Sequence, residues 1–226
     1  MNSNLHHVRT HPSAVLLAAQ LVAVLLYPFL DGSTAGRAGF GVVQLLIVLI
    51  AVYAVRRTPT LTWVALLLAP PAMVFTVLEA LSPSHDAIVL GSAVLHAPFY
   101  FFVSYSMIRY LFHDDKVTRD ELFATGAAFT VVAWGFAYIY AAAQVIWPGS
   151  FAGVGGGDER TWFELLYMSF TTLTSVGMSD VTPVLDHARS LVMIEQVAGV
   201  LYIALVITRL VGLGRPGKVA SDSDRG

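Results

Sequence analysis

The chain has 226 residues, of which 56% are hydrophobic and only 12% charged, whereas soluble domains carry about 25% charged residues. A mean hydropathy of +0.69 leaves more apolar surface than one soluble core hides, so the composition implies a protein dissolved in a bilayer. A net charge of −2 excludes the broad basic field of a nucleic-acid binder, and the absence of cysteine removes disulfides, thiolate zinc sites and cysteine nucleophiles.

Residues 1–12 form a polar, His-rich tail containing His6, His7 and His11, with no small-residue cleavage site before Asp31. The apolar run that follows therefore reads as a retained helix. A spanning helix needs about 20 mostly apolar residues. Candidates are 13–30, closed by Asp31-Gly32-Ser33; 39–55, stopped by Arg56-Arg57-Thr58-Pro59; and 60–81, with Pro70-Pro71 predicted to kink it. Then come 87–112, a polar link, and 121–146. A Gly-rich loop over 147–160 precedes a short apolar segment at 161–174, and the last long run is 187–213. Residues 214–226 make a polar tail too short for a soluble ligand-binding domain.

Basic residues collect on the cytoplasmic side of a membrane. With the N-terminus inside, all the lysines and arginines fall inside except Arg37, Arg160 and Arg189. Six spans return the C-terminus to the same side, and the cell membrane is the expected location. The 161–174 segment is too short to cross, yet it lies between two full spans. It reads as a re-entrant segment entering from outside, which is tolerated only where backbone is buried in protein or lines water. A pore or substrate cavity follows from this pattern alone.

The segment runs into Thr171-Thr172-Leu173-Thr174-Ser175-Val176-Gly177-Met178-Ser179-Asp180. This stretch resembles the potassium-channel signature, in which a pore helix leads into T-V-G-Y-G-D. The resemblance covers about 119–213 and divides the chain into a four-helix transmembrane domain at 13–113 and a pore domain at 119–213. It implies a filter at Ser175, Val176, Gly177, Met178 and Ser179, an outer-mouth acid at Asp180, and potassium held at Ser175, Val176 and Gly177. It also implies an inner-helix hinge at Gly199, although a small residue there serves close helix packing equally well. Four such strands are needed to ring an ion with oxygens, so a homotetramer in membrane lipid is implied. Two positions depart from the signature. Met178 replaces the bracing tyrosine with a flexible side chain. Ser179 replaces the second glycine, where a Cβ at positive φ costs about 1–2 kcal/mol.

Glu195, about two turns into the last helix, is an intramembrane carboxylate and hence a functional candidate. It is expected to support the filter by accepting hydrogen bonds from Thr171 or Thr172, the alternative being a cavity-facing charge. Ala204, Ile207 and Thr208 are expected to line the inner pore. In the fourth span Arg109 is the single basic residue, against the three to four gating charges of a voltage sensor, so Arg109 reads as an interfacial anchor. Glu79, His85 and Asp86 cluster at an outer helix end; a solvated loop is preferred to a metal or proton site. His96 reads as a buried, hydrogen-bonded histidine. Asp186 and His187 join Asp180 at the outer mouth.

The sequence thus predicts an all-α integral membrane protein with six transmembrane helices and a re-entrant pore helix and filter between helices five and six. The predicted activity is passive conduction of potassium or another monovalent cation, with no cofactor and no chemical step. The alternatives are a non-selective or sodium- and calcium-permeable channel on the same scaffold, and a non-conducting pore-like regulatory subunit. No nucleophile–base pair at a recognisable spacing supports an enzyme.

Overall fold

The structure, a computed structural model, describes residues 12–30, 34–55, 59–82, 85–112, 118–156 and 159–213. Apart from Pro12, which opens the first helix, both predicted tails, with His6, His7 and His11, lie outside these residues, as do Arg56, Arg57 and Lys116. Among the described residues seven helices follow one another: α1 (Pro12–Leu30), α2 (Thr34–Val55), α3 (Pro59–Leu81), α4 (Asp86–Leu111), α5 (Arg119–Ile146), the short α6 (Trp162–Leu173) and α7 (Asp186–Leu213). Five of them, α1, α3, α4, α5 and α7, are long and apolar enough to cross a membrane. Within α2 the apolar stretch is the shorter Val42–Ala51. α3 is continuous through Pro70 and Pro71, and α4 through Pro98.

Among the described residues, two short segments form strands. The Gly-rich loop and the segment after the signature pair as a two-stranded antiparallel ribbon, β1 (Phe151–Gly153) with β2 (Val181–Pro183), in register Phe151↔Pro183 and Gly153↔Val181. The Val184 N–H extends it by donating to the Ser150 carbonyl at 2.9 Å. Three residues per strand give little alternation to read from sequence.

Neighbouring helices in the chain pack in succession from α1 to α5, and α1 also returns against α5. The α4–α5 contact is the most extensive, since α5 buries Ala127, Val131, Trp134 and Tyr138 in the main core beside Phe99, Tyr100 and Val103 of α4. Polar contacts fix the register of α1 on α5. Asp120 accepts from the Ser13 backbone N–H at 3.2 Å and from its hydroxyl at 3.1 Å. Deeper in, the Thr130 hydroxyl donates to Gln20 Oε1 at 2.5 Å. In hydrocarbon such groups have no water to turn to, so pairing them specifies how two otherwise greasy helices meet.

The start of α5 and the end of α4 share one end of the molecule with the end of α7. Thr118 and Glu121 form a capping box there, and Arg209 donates to the Leu111 carbonyl at 3.0 Å while lying over the Phe112 ring. α7 is unlike the other long helices. It is tied to α5 and α6 along one side, yet Met193, Val197, Val200, Leu201, Ile207 and Val211 are all exposed on this single chain.

Candidate functional site

α6 is built to be short and fixed at both ends. Thr161 caps its start: the Thr161 Oγ1 accepts from the Glu164 N–H at 3.3 Å, and the Glu164 carboxylate accepts from the Thr161 N–H at 2.7 Å. One residue earlier, the Arg160 backbone exchanges two hydrogen bonds with the Gln144 side chain of α5, at 2.8 and 3.0 Å. Along its length α6 buries Leu165, Leu166, Met168, Ser169 and Leu173, and it enters the core against α5. Twelve residues give about 18 Å of helix, well under a bilayer's hydrocarbon thickness of about 30 Å.

Past Leu173 the chain leaves the helix, and Ser175, Val176, Gly177 and Met178 are exposed on this single chain. The amides of this stretch turn back on α6. Ser175 N–H donates to the Thr172 carbonyl at 2.9 Å, and both Val176 and Gly177 N–H groups donate to the Thr171 carbonyl at 3.0 Å. The backbone alternates in hand, with φ of 61° at Ser175 and 68° at Gly177 and no positive φ at Val176 between them. An alternating chain whose amides point one way presents its carbonyls the other way, which is how a strand can offer a row of oxygens.

The strain expected at Ser179 is absent, because Ser179 does not adopt positive φ. Its hydroxyl instead accepts from the Val181 N–H at 3.0 Å, closing a local turn that leads into β2. The left-handed cost falls instead on Ser175. Gly177 carries the second positive φ at no such cost.

Beyond Gly177 the row is interrupted. The Tyr167 hydroxyl of α6 donates to the Met178 carbonyl at 2.9 Å, holding that oxygen toward its own helix. Met178 is 74% exposed. Asp180 is exposed beside it. At the same end, Asp186 pairs with Arg189 at 3.3 Å, both exposed, and His187 stacks on Trp147 with centroids 4.3 Å apart.

Glu195 is fully buried behind α6, so it does not face a cavity. Its partners differ from those expected. Oε1 meets the Ser169 hydroxyl of α6 and Oε2 accepts from the Tyr140 hydroxyl of α5, while Ser169 also reaches the Ala133 carbonyl at 2.9 Å. One carboxyl group thus joins α5, α6 and α7. Thr171 turns its hydroxyl back to the Met168 carbonyl at 2.9 Å, and Thr172 is buried nearby. The reason is helical phase: Ser169, two and three residues before these threonines, is the side chain that α6 turns toward α7.

Gly199 sits where α7 crosses the end of α6. A Cβ built there would lie 2.1 Å from the Leu173 carbonyl oxygen. The absence of a side chain therefore has a packing cause, and α7 runs unbroken through this residue. Farther along, Ala204, Ile207 and Thr208 are exposed, with the Thr208 hydroxyl returned to the Ala204 carbonyl at 2.8 Å.

In the first helices, Glu79 belongs to α3 and approaches the Tyr138 hydroxyl at 3.5 Å, so it is not part of a solvated loop; His85 and Asp86 are exposed. His96 is buried between Ser92 and Thr76, at 2.9 and 3.0 Å, and stacks on Tyr138. Among the described residues no three His, Asp or Glu side chains gather as a metal site.

Sequence reasoning missed Tyr167, Ser169 and Tyr140. The Thr161-x-x-Glu164 box was readable as a helix start, but nothing in the spacing marks a hydroxyl 11 residues before the carbonyl it bonds. Residues 126–214 match a family model described as an ion channel. No curated protein and no solved structure matches the chain.

Proposed function

We propose, from the match of residues 126–214 to an ion-channel family model, that four copies of this multi-pass membrane protein surround one axis and conduct potassium passively through rings of backbone carbonyls. The observation that carries the reading is the exposed, alternating strand at Ser175–Gly177, whose amides are all committed to α6. One chain offers one column of oxygens; a dehydrated cation needs several at similar distances, and four columns supply square rings.

In this reading α6 is the re-entrant pore helix between the fifth and sixth spans. Its last carbonyls, at the negative end of the helix dipole, face the cavity below the filter and favour a cation there. The exposed apolar surface of α7 is covered partly by neighbouring subunits and partly by lipid, and Ala204, Ile207 and Thr208 line the inner mouth. The Glu195 junction holds pore helix and inner helix together at filter height. Asp180 raises the local cation concentration outside. Both termini lie in the cytoplasm and the location is the cell membrane.

One contact favours a second reading, a cation channel of weak selectivity. With the Met178 carbonyl bonded to Tyr167, the outer ring is lost and only the inner rings from Ser175, Val176 and Gly177 remain. The test is flux of potassium against sodium through the purified protein in liposomes, for the native chain and for Met178→Tyr with Ser179→Gly. Potassium-selective flux in the native chain supports the first reading. Flux of both ions that becomes selective in the double variant supports the second. No flux in either removes both and leaves the non-conducting subunit.

A further inference from the structure

A cavity of about 520 Å³ lies at the end of the molecule where α1, α3 and α5 finish and α2, α4 and α6 begin. Small-molecule clefts run from about 300 to 1,000 Å³. None of the residues that line it belongs to the strand at Ser175–Gly177.

Part of its wall is aromatic, formed by Tyr27, Phe40 and Trp162. Tyr27 meets Phe40 edge-on at 4.8 Å, and Trp162 is tilted against the two at 6.3 and 6.1 Å, so the rings face in different directions. The same cavity is lined by three carboxyl groups, those of Glu79, Asp86 and Glu159. Among the described residues that line it, the one guanidinium, Arg160, donates to the Gly156 carbonyl at 2.6 Å and pairs at 3.7 Å with Glu164, which does not line the cavity. The lining therefore favours a positive ligand. A bare metal ion is a poor fit, because among the described residues the carboxyl groups do not converge as a ligand set. Aromatic faces attract a cation through the ring quadrupole, most effectively when it is desolvated, and carry the hydrocarbon of an alkylammonium group at the same time.

We propose that this cavity binds a small organic cation, its alkylammonium group held between the aromatic wall and the carboxyl groups. The ligand would touch Trp162, the first residue of α6. Its source is either a soluble amine or the ammonium headgroup of a lipid.

The full chain is placed in nanodiscs of phosphatidylglycerol, which carries no ammonium group, and equilibrium binding of radiolabelled choline is measured. Binding should be saturable, and unlabelled choline should displace it where 3,3-dimethylbutan-1-ol, the uncharged analogue of the same shape, does not. Glu79→Gln and Trp162→Leu should each weaken it tenfold or more. Asp86→Asn, at the exposed first residue of α4, should weaken it about threefold with an unchanged melting temperature, which keeps the test readable if the interior variants misfold. Displacement by phosphatidylcholine in the nanodisc identifies the lipid headgroup, and its absence identifies a soluble amine; both support the site. Choline binding that is absent, that the alcohol displaces equally, or that survives all three substitutions overturns the proposal. The readout is binding, so it stands whether or not the protein conducts.

Discussion

Tyr167→Phe removes a single hydroxyl and keeps the ring. In the structure that hydroxyl donates to the Met178 carbonyl at 2.9 Å, on a residue 45% exposed. A neutral hydrogen bond contributes about 0.5–1.5 kcal/mol net, and exposure puts this one near the lower limit, about 0.5 kcal/mol. Four copies around one axis sum to about 2 kcal/mol, and at 1.4 kcal/mol per factor of ten that is about a 30-fold change in the balance between carbonyls held back and carbonyls facing the axis. Released oxygens add an outer ring to those from Ser175, Val176 and Gly177. The potassium-to-sodium permeability ratio, measured from reversal potentials in planar bilayers under bi-ionic conditions, should therefore rise in Tyr167→Phe. A ratio that is unchanged or lower would refute the argument that this contact withdraws the outer ring.

Three further outcomes follow from the geometry. Glu195→Ala leaves the Tyr140 hydroxyl buried without its acceptor, at about 1–3 kcal/mol, while the Ser169 hydroxyl keeps the Ala133 carbonyl, and it should lower the melting temperature in nanodiscs; Glu195→Gln keeps an acceptor and should lower it less. Gly199→Ala places a methyl against the Leu173 carbonyl and should destabilise the α6–α7 contact by about 1–3 kcal/mol, read as a fall in melting temperature, whereas a pure hinge role predicts altered open probability with stability intact. Gly177→Ala meets no neighbour within 4 Å, so its cost is the left-handed backbone alone, about 1–2 kcal/mol per chain; flux through liposomes should fall severely while the protein stays folded.

Much of this was readable in the residues. Apolar runs broken by Arg56-Arg57 and by Asp31-Gly32-Ser33 mark where helices must stop, and the Thr161–Glu164 box with Ser-Val-Gly bounds a helix too short to cross. What was not readable depends on three-dimensional phase. That Glu195 meets Ser169 and Tyr140 instead of Thr171 or Thr172 is set by the rotation of α6 against α7. That Ser175 carries the left-handed backbone follows from amides at 176 and 177 sharing one carbonyl, a geometry no residue type announces. The ribbon of Phe151–Gly153 with Val181–Pro183 was hidden because its strands are 28 residues apart and three residues long. For Gly199 both a hinge and close packing fit the sequence, and only the distance to Leu173 separates them.

The central claim is that four chains pool their Ser175–Gly177 strands around one axis. A cryo-EM map of the purified protein in potassium, in nanodiscs, tests it most directly. The expected result is a fourfold assembly with ion density between the carbonyl rings of Ser175, Val176 and Gly177 and none at Met178. A monomer, or an assembly in which these strands face lipid or lie apart, would contradict it.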